Sequence, residues 1–444
     1  MAKKKQPNTL ARILTNNCKF CYTVFLVIIF FSPLLIFPGF FDAYELIKIS
    51  FLRISLLLLG CIYLFQVSRS AQYQFSKEQM KRFFSSRLNK ATLFFLLTQL
   101  LAFCFSVNKF DSFWGISFRY TGLLTQLLFA LTYLLTYLLV TDRAKVLQLF
   151  DWMLWGALPL SLWGICEYVG IHPFGINNLQ YAGRVAATFG QPTFLALHAI
   201  VVVFYCYYRL THFKGKQLYA LYFTNAVLSL FIIIATLSRS AWLAGVVGFA
   251  FLFLCSLKEG KKRTNALYGF LLFGGVGLVG VFTLSALQNT EFIQHNDVLL
   301  RLAILFQDSD RITFWQTAWN MFLARPLVGF GQDSLYFLFD TFVPVGFNPL
   351  VVLDSTHNQL LDIAVTSGVV GIIGYSAVVV ELIRNFLEKV KKGVADELLF
   401  FIYACLISFF IVSMFNPLSV VNTFIVMVLL AILANRSYSK MSSK

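Results

Sequence analysis

The amino-acid sequence predicts an all-α polytopic membrane protein. Its 444 residues are 58% hydrophobic and only 13% charged, and the mean hydropathy is +0.74. Soluble proteins are about 45–50% apolar and about 25% charged, so a soluble core could not bury this much apolar surface. The apolar residues also form long runs, each able to cross a hydrocarbon layer of about 30 Å or to make a tilted or shorter helix.

These runs predict about twelve transmembrane helices in a single integral membrane domain, residues 1–444. We place the spans near residues 20–38, 48–66, 92–107, 122–141, 149–169, 192–208, 218–237, 241–257, 266–287, 357–383, 398–415 and 420–434. The first run lacks a clean small-residue cleavage site and is followed by further spans, which argues against a signal peptide.

The distribution of Lys and Arg predicts the orientation. With the N-terminus inside, most of the 36 basic residues fall in inner segments. The outer segments carry Lys109, Arg119, Arg184, Arg239, Arg301, Arg311 and Arg325. Both termini are therefore expected in the cytoplasm, and topology accounts for the net charge of +16 without nucleic-acid binding. The outer preference for Arg suits a site that grips an oxyanion.

The outer loop 288–356 is too long to be a simple connection and is predicted to form a lid subdomain. Within it, Ile312, Trp315, Ala318, Trp319 and Phe322 recur at helical spacing. The start of this helix is expected at the caps Asp308, Ser309 or Asp310, and its end before Pro326 and Gly329. We expect this amphipathic helix to lie at the membrane interface.

Four outer residues are candidates for chemistry. Arg239 lies in "TLSRSAW", Arg184 in "GRVAATFGQP" and Arg311 at the start of the amphipathic helix, while His357 lies in "LDSTHNQL". A neutral imidazole can accept a proton. The alternatives are ordinary: an arginine that snorkels to lipid phosphates or pairs with a loop acid, and a histidine that is only a polar cap at a helix start.

Metal and nucleotide sites find no support in the sequence. The histidines lack HxxH or HExxH spacing, the eight cysteines give no ligand framework, and no Walker loop or paired nucleotide glycine motif is present.

If the three arginines and His357 converge beneath the lid, they would suit a substrate that is half lipid and half polar. Two arginines could hold a diphosphate, and the imidazole could take a proton from an attacking hydroxyl.

Four motifs, in this order along the chain, resemble those of the O-antigen ligase and O-antigen polymerase superfamily. They are "GRVAATFGQP", "TLSRSAW", "RITFWQTAWNMFLARPLVGFGQDS" and "STHNQLLDIAVTSGVVGIIGY". "FDAYELIK" at 41–48 also resembles the first outer loop of that family. The resemblance implies a GT-C-like bundle in the bacterial cytoplasmic (inner) membrane. It further implies transfer of a glycan from an undecaprenyl-diphosphate carrier to an acceptor hydroxyl on the outer face, without metal or other cofactor.

Residue by residue, the resemblance makes His357 the catalytic histidine and Arg239 the arginine of an SRG-like turn that contacts the diphosphate. Arg184 and Arg311 match neighbouring basic positions as diphosphate-binding residues. Asn358 or Asp354 would fix the imidazole. One departure is "SRS", which places Ser240 where glycine is common and would narrow the freedom of the turn.

The acceptor stays open at the level of sequence. A ligase would use a glycolipid, a polymerase another carrier-linked glycan, and a protein O-oligosaccharyltransferase a Ser or Thr side chain. A non-enzymatic exporter of lipid-linked glycans is a further alternative, although it should bury ionisable groups near the middle of the membrane between repeats. We find no internal repeat, and the polar candidates gather at the outer edge. The sugar and the oligomeric state are not predicted.

Overall fold

The computed structural model describes residues 9–68, 77–175, 181, 183–212, 216–257, 264–265, 267, 283–303, 311–343 and 354–435. Within these ranges the chain is helical and contains no β-strand. In chain order the helices are α1 Thr9–Phe31, α2 Glu45–Ser68, α3 Lys77–Ser85, α4 Arg87–Cys104, α5 Lys109–Trp114, α6 Leu123–Leu139, α7 Arg143–Tyr168, α8 Pro192–His212, α9 Lys216–Ala235, α10 Arg239–Ser256, α11 Glu291–Gln294, α12 Asp297–Ala303, α13 Arg311–Ala324, α14 Leu335–Phe342, α15 Gln359–Lys391, α16 Glu397–Ser413 and α17 Val420–Ala434.

Helices coincide with eleven of the predicted spans, and the remaining span, 266–287, lies largely outside the described residues. Helices α2, α7, α8, α9, α10 and α15 are long and apolar enough to cross a membrane. The apolar part of α1 and helices α6, α16 and α17 are shorter. The protein is therefore a polytopic α-helical membrane protein.

Glycine residues allow close approach at the most extensive helix–helix interfaces. Helix α4 packs along α15 and α10 packs along α16. A Cβ at Gly374 of α15 would lie 3.0 Å from the side chain of Thr98 in α4. At Gly248 of α10 an added Cβ would collide with the hydroxyl of Ser408 in α16. Because lipid supplies no hydrophobic drive between helices, such close approaches are a main source of their association.

Helix α15 is broken at Gly368, whose backbone has φ +60° and ψ −159°. The span predicted near residues 357–383 is therefore not one continuous helix. An added Cβ would collide with the carbonyls of Pro326 and Leu327, so only glycine fits where the 326–331 segment enters the helix.

The inserted segment replaces two helical hydrogen bonds with four of its own. The N–H groups of Val369 and Val370 donate to the carbonyls of Pro326 (2.7 Å) and Leu327 (3.3 Å). The freed carbonyls of Val365 and Thr366 accept from the N–H groups of Phe330 and Gly331, both at 2.9 Å. These two N–H groups and two carbonyls are thus satisfied, as a membrane helix requires.

The described part of the 288–356 segment packs a small hydrophobic cluster against Val365 of α15; its members are Phe314, Ala318, Met321, Phe330, Leu335 and Phe339. Its helix α13 begins at Arg311, and the predicted caps at 308–310 lie outside the described residues. The buried face of α13 carries Phe314 and Met321, whereas Ile312 and Trp319 of the predicted apolar stripe are each 52% exposed. Helix α13 packs against α15 and α14 and leaves Ile312 and Trp319 outside, and its expected position at the membrane interface stays a prediction.

Candidate functional site

His357 lies in a tight turn that precedes α15. Its backbone is left-handed, with φ +55°, a conformation that non-glycine residues rarely adopt. The carboxylate of Asp362 holds the turn by accepting from the Ser355 hydroxyl and the Thr356 N–H, both at 2.8 Å. The Ser355 hydroxyl in turn accepts from the His357 N–H at 3.0 Å. One carboxylate thereby fixes where the imidazole stands.

Asn358 is the N-cap of α15. Its side-chain oxygen accepts from the N–H groups of Leu360 (3.0 Å) and Leu361 (3.2 Å), which satisfies donors that would otherwise be orphaned. Asn358 therefore supports the imidazole by starting the helix. Trp315 of α13 donates its ring N–H to the carbonyl of Thr356 at 3.1 Å and ties the turn to α13.

The His357 ring stacks on Phe314, with ring centroids 6.0 Å apart and an angle of 25° between planes. Its Nδ1 is buried and has no hydrogen-bond partner among the described residues. Burial lowers the pKa of His357, and the charges of Arg311 and Arg119 lower it further against the opposing effect of Asp354 and Asp362. The imidazole is thus neutral at neutral pH and has a nitrogen available to accept a proton.

Arg311 lies near this turn, and Arg239 lies near Arg311. Burial lowers the pKa of the Arg311 guanidinium and the charge of Arg239 lowers it further, yet an arginine stays protonated. The charge of Arg311 also lowers the pKa of His357, so the three groups are linked electrostatically. The structure therefore brings together Arg239, Arg311 and His357 at one end of the bundle, which we name the site end.

Arg184 belongs to the same end. Its Nε donates to the carbonyl of Thr236 at 2.9 Å, and its guanidinium lies 5.7 Å from the ring centroid of Tyr181. Burial raises the pKa of the Tyr181 hydroxyl; the charge of Arg184 opposes this shift and that of Asp354 adds to it. The charges of Arg184 and Asp354 therefore both reach the Tyr181 hydroxyl, and the charge of Asp354 also acts on His357.

The structure of the turn "TLSRSAW" explains why Ser240 can occupy a position where glycine is common in the resembled family. The left-handed residue of this turn is Leu237, with φ +48°, whereas Ser240 lies in the first turn of α10. Position 240 thus needs no glycine freedom. The Ser240 hydroxyl instead accepts from the side-chain amide of Asn416 at 2.8 Å, which ties the turn to the connection between α16 and α17.

Arg119 is a further residue at the site. It was one of the outer basic residues of the sequence but was not predicted to take part in chemistry. It lies between Phe118 and Tyr120, whose φ angles of +69° and +52° are both left-handed. Its Nε is buried and has no hydrogen-bond partner within the described part of the chain. Its charge acts on His357. Strained backbone of this kind clusters at functional sites, and here it is held on both sides of a cation.

Asp333 anchors the Arg119 loop and was also missed. Its carboxylate accepts from the N–H groups of Ile116 and Thr121, each at 3.1 Å, and from the Thr121 hydroxyl. Burial raises the pKa of Asp333, while the Thr121 hydroxyl and the charge of Arg119 act against that shift. The available signal was "GFGQDS", in which glycines at 329 and 331 allow the chain to pass the break in α15.

A cavity of about 260 Å³ opens beside the site. Its polar end is formed by Arg119, Asp333, Asp354 and Asp362, and its apolar part runs between α4, α6, α15, α16 and α17. On α17 the lining extends from Thr423 to Leu430, about 10 Å at about 1.5 Å per residue. The cavity is therefore amphipathic, with charged groups at one end and hydrocarbon at the other.

The described residues contain no group of three or more His, Cys, Asp or Glu arranged to hold a metal ion. The chemistry available at the site end comes from one imidazole, four guanidiniums and several carboxylates.

Residues 224–376 match the family model described as O-antigen ligase, whereas Arg119 and Arg184 precede the matched region. A search of curated proteins finds no match. The matched region contains Arg239, Arg311 and His357, together with the break in α15. The match supports the resemblance to the O-antigen ligase and polymerase superfamily and, with it, glycan transfer in general.

Proposed function

We propose that the protein transfers a glycan from an undecaprenyl-diphosphate carrier to an acceptor hydroxyl, with inversion at the anomeric carbon, on the outer face of the cytoplasmic membrane. The observation that carries the proposal is the placement of a neutral imidazole, His357, beside a group of arginines. The charge of Arg311 acts on His357, and the charge of Arg239 acts on Arg311. The charges of Arg184 and Asp354 both act on Tyr181, and that of Asp354 also acts on His357.

The arginines suit the leaving group. A diphosphate gains negative charge as its bond to the sugar breaks, and planar guanidiniums bind phosphate oxygens with two donors at once. Donors fixed in advance at the position of developing charge give a large share of catalysis. Arg239, helped by Arg184 and Arg311, would neutralise the departing lipid diphosphate.

The imidazole suits the acceptor. In the proposed step the acceptor oxygen bonds to the anomeric carbon while the bond from that carbon to the diphosphate oxygen breaks. The hydroxyl proton passes to Nδ1 of His357, and the electron pair of the broken bond stays on the diphosphate. The lowered pKa of His357 keeps its base form populated at neutral pH. Water takes the proton before the next turnover.

Reconstituted transfer tests the proposal. Purified protein in nanodiscs receives lipid-diphosphate-linked glycan from the host, and product is scored on a glycolipid, a carrier-linked glycan and a protein carrying Ser or Thr. We expect H357A to lower the rate roughly 100- to 10,000-fold, the range lost with a general base. R239A should also be inactive, and R239K, which keeps charge but not the planar fork, should retain partial activity.

The matched control is H295A, because His295 is an exposed histidine of the same 288–356 segment. It should transfer glycan at the wild-type rate. Near-normal transfer by H357A and R239A, or transfer from a nucleotide sugar in place of the lipid-linked donor, would contradict the proposal.

A further inference from the structure

A second cavity, of about 400 Å³, lies at the end of the bundle opposite the site end. It is bounded by the start of α4, the last turns of α15 and the end of α17. Lys389 in its wall lies about 20 residues beyond the break at Gly368, which is about 30 Å at about 1.5 Å per residue. Its volume falls within the range of about 300–1,000 Å³ that is typical of small-ligand pockets. The proposed transfer makes no use of this cavity.

The lining of the second cavity carries more positive than negative charge. Three cations and two acids line it: Arg87, Lys389, Lys392, Glu381 and Glu388. The Glu388 carboxylate accepts from Arg87 at 3.2 Å and from Lys392 at 3.4 Å. The Glu381 carboxylate accepts from Arg384 at 2.7 Å. Both acids therefore already have cationic partners.

Lys389 is the charge that these pairs leave uncompensated. Its side chain is half-buried, and its ammonium makes no hydrogen bond or ion pair within the described part of the chain. The charge of Asp396 reaches Lys389, yet that carboxylate already pairs with Arg143 and caps α16. Because an opposite charge stabilises a partly desolvated ammonium, Lys389 is the group that an incoming anion would contact.

The start of α4 adds donors of a different kind. Ser86 is the N-cap of this helix and is only 6% exposed, yet its hydroxyl makes no capping hydrogen bond. Arg87 and Leu88 of the first turn line the cavity beside it. The first N–H groups of a helix lack intrahelical acceptors and carry positive partial charge, which favours phosphate. A hydroxyl, a helix start and an ammonium thus line one cavity.

The position of the cavity favours phosphate among the possible anions. Helix α4 begins and α17 ends beside it, so it lies where two apolar helices leave the hydrocarbon layer. The predicted orientation places this end at the cytoplasmic leaflet, because most of the Lys and Arg residues lie in segments on that side. Basic pockets between helices at the cytoplasmic side of a membrane bind the headgroups of anionic lipids.

We infer that the second cavity binds a phosphate group through Lys389, Ser86 and the first turn of α4. The bound anion would hold the ends of α4, α15 and α17 together. The phosphate belongs either to an anionic phospholipid headgroup or to a soluble phosphate that enters from the aqueous side. The inference is independent of the proposed function, since His357 and the arginines of the site end are not among the described lining residues of this cavity.

Thermal unfolding of the full-length protein tests this binding. The protein is delipidated in an uncharged maltoside detergent, which carries no phosphate. It then receives phosphatidylglycerol or inorganic phosphate, with chloride at equal ionic strength as the reference. Wild type should melt a few degrees higher with the ligand that binds, because binding to the folded state alone stabilises it.

One variant and its matched control assign the effect to the cavity. K389A should weaken binding of that ligand roughly 10- to 100-fold, as the loss of a charged hydrogen-bond partner predicts. S86A should weaken it by a smaller factor, because the hydroxyl is a neutral donor. K391A is the control, because Lys391 is an exposed lysine of the same helix and is not among the described lining residues.

Lysine labelling of wild type gives a readout that does not depend on the folding of a variant. Acetic anhydride acetylates accessible lysines, and mass spectrometry compares the rates at Lys389 and Lys391. Ligand at about ten times its Kd should slow acetylation of Lys389 about tenfold by mass action. The rate at Lys391 should stay unchanged.

Stabilisation and protection by phosphatidylglycerol alone identify a lipid headgroup, and the same effects with inorganic phosphate identify a site for soluble phosphate. An equal rise in Tm with chloride, or a rise that K389A and K391A both keep in full, would overturn the inference. Acetylation of Lys389 that neither ligand slows would do the same. Glycan transfer does not enter these measurements, so their failure leaves the proposed function standing.

Discussion

Removal of the Asp362 carboxylate should disable the site without touching any predicted substrate-binding group. In D362A the Ser355 hydroxyl and the Thr356 N–H lose their acceptor. Hydrogen bonds to a charged group contribute about 1.5–3 kcal/mol each, so the turn loses about 3 kcal/mol or more. The left-handed backbone of His357 costs about 1–2 kcal/mol, and without Asp362 the turn relaxes out of that conformation. At about 1.4 kcal/mol per factor of ten, kcat should fall roughly 100-fold.

The pH profile distinguishes this positioning role from general damage. The charge of Asp362 raises the pKa of His357, so its removal lowers that pKa further. Because deprotonated His357 is the active form, the acid limb of kcat/KM in D362A should move to lower pH. The double variant S355A/D362A should cost little more than D362A alone, since both side chains act on one turn.

The matched control is D340A, because Asp340 is an exposed carboxylate of α14. It should keep both the rate and the acid limb of wild type. If D362A transfers glycan within twofold of the wild-type rate, or loses rate with no movement of the limb, the reasoning about the turn is refuted.

Two other perturbations address the charge and the backbone of the site. In R311Q a cation that lowers the pKa of His357 is gone, so the acid limb, which in wild type lies below pH 6.5, should move to higher pH; an unmoved limb would contradict the geometry. G368A places a Cβ against the carbonyls of the inserted segment and should lower the melting temperature clearly more than G393A. Gly393 also has a positive φ, yet its Cβ would meet nothing within 4 Å, so the control carries the conformational cost alone, about 1–2 kcal/mol.

Hydropathy was sufficient to predict most of the helices. The span expected near 420–434 is helix Val420–Ala434, and the span expected near 192–208 is helix Pro192–His212. The run of apolar residues is a local property, so its limits can be read from the chain. The span expected from 357 begins at Gln359, because Asn358 is a cap and His357 belongs to a turn.

The features that sequence could not predict depend on residues far apart in the chain. The break at Gly368 exists because Pro326 and Leu327 compete for N–H groups that would otherwise stay in the helix. Arg119 gains its surroundings from Asp333, more than 200 residues later. Arginine in an outer loop is common enough that only this folded context distinguishes it. By contrast, His357 and Arg239 lie in motifs whose order along the chain resembles a known family. Their placement at the same end of the bundle could therefore be predicted.

The segment that repairs the broken helix α15 has a consequence for how this protein can be altered. Four backbone hydrogen bonds join the 326–331 segment to the broken part of α15, so the two form one structural unit although some 40 residues separate them. A chimera that imports the 326–331 stretch from a relative without its matching helix would leave polar backbone bare inside the bilayer. Exchange of specificity between relatives should therefore succeed only when both pieces travel together.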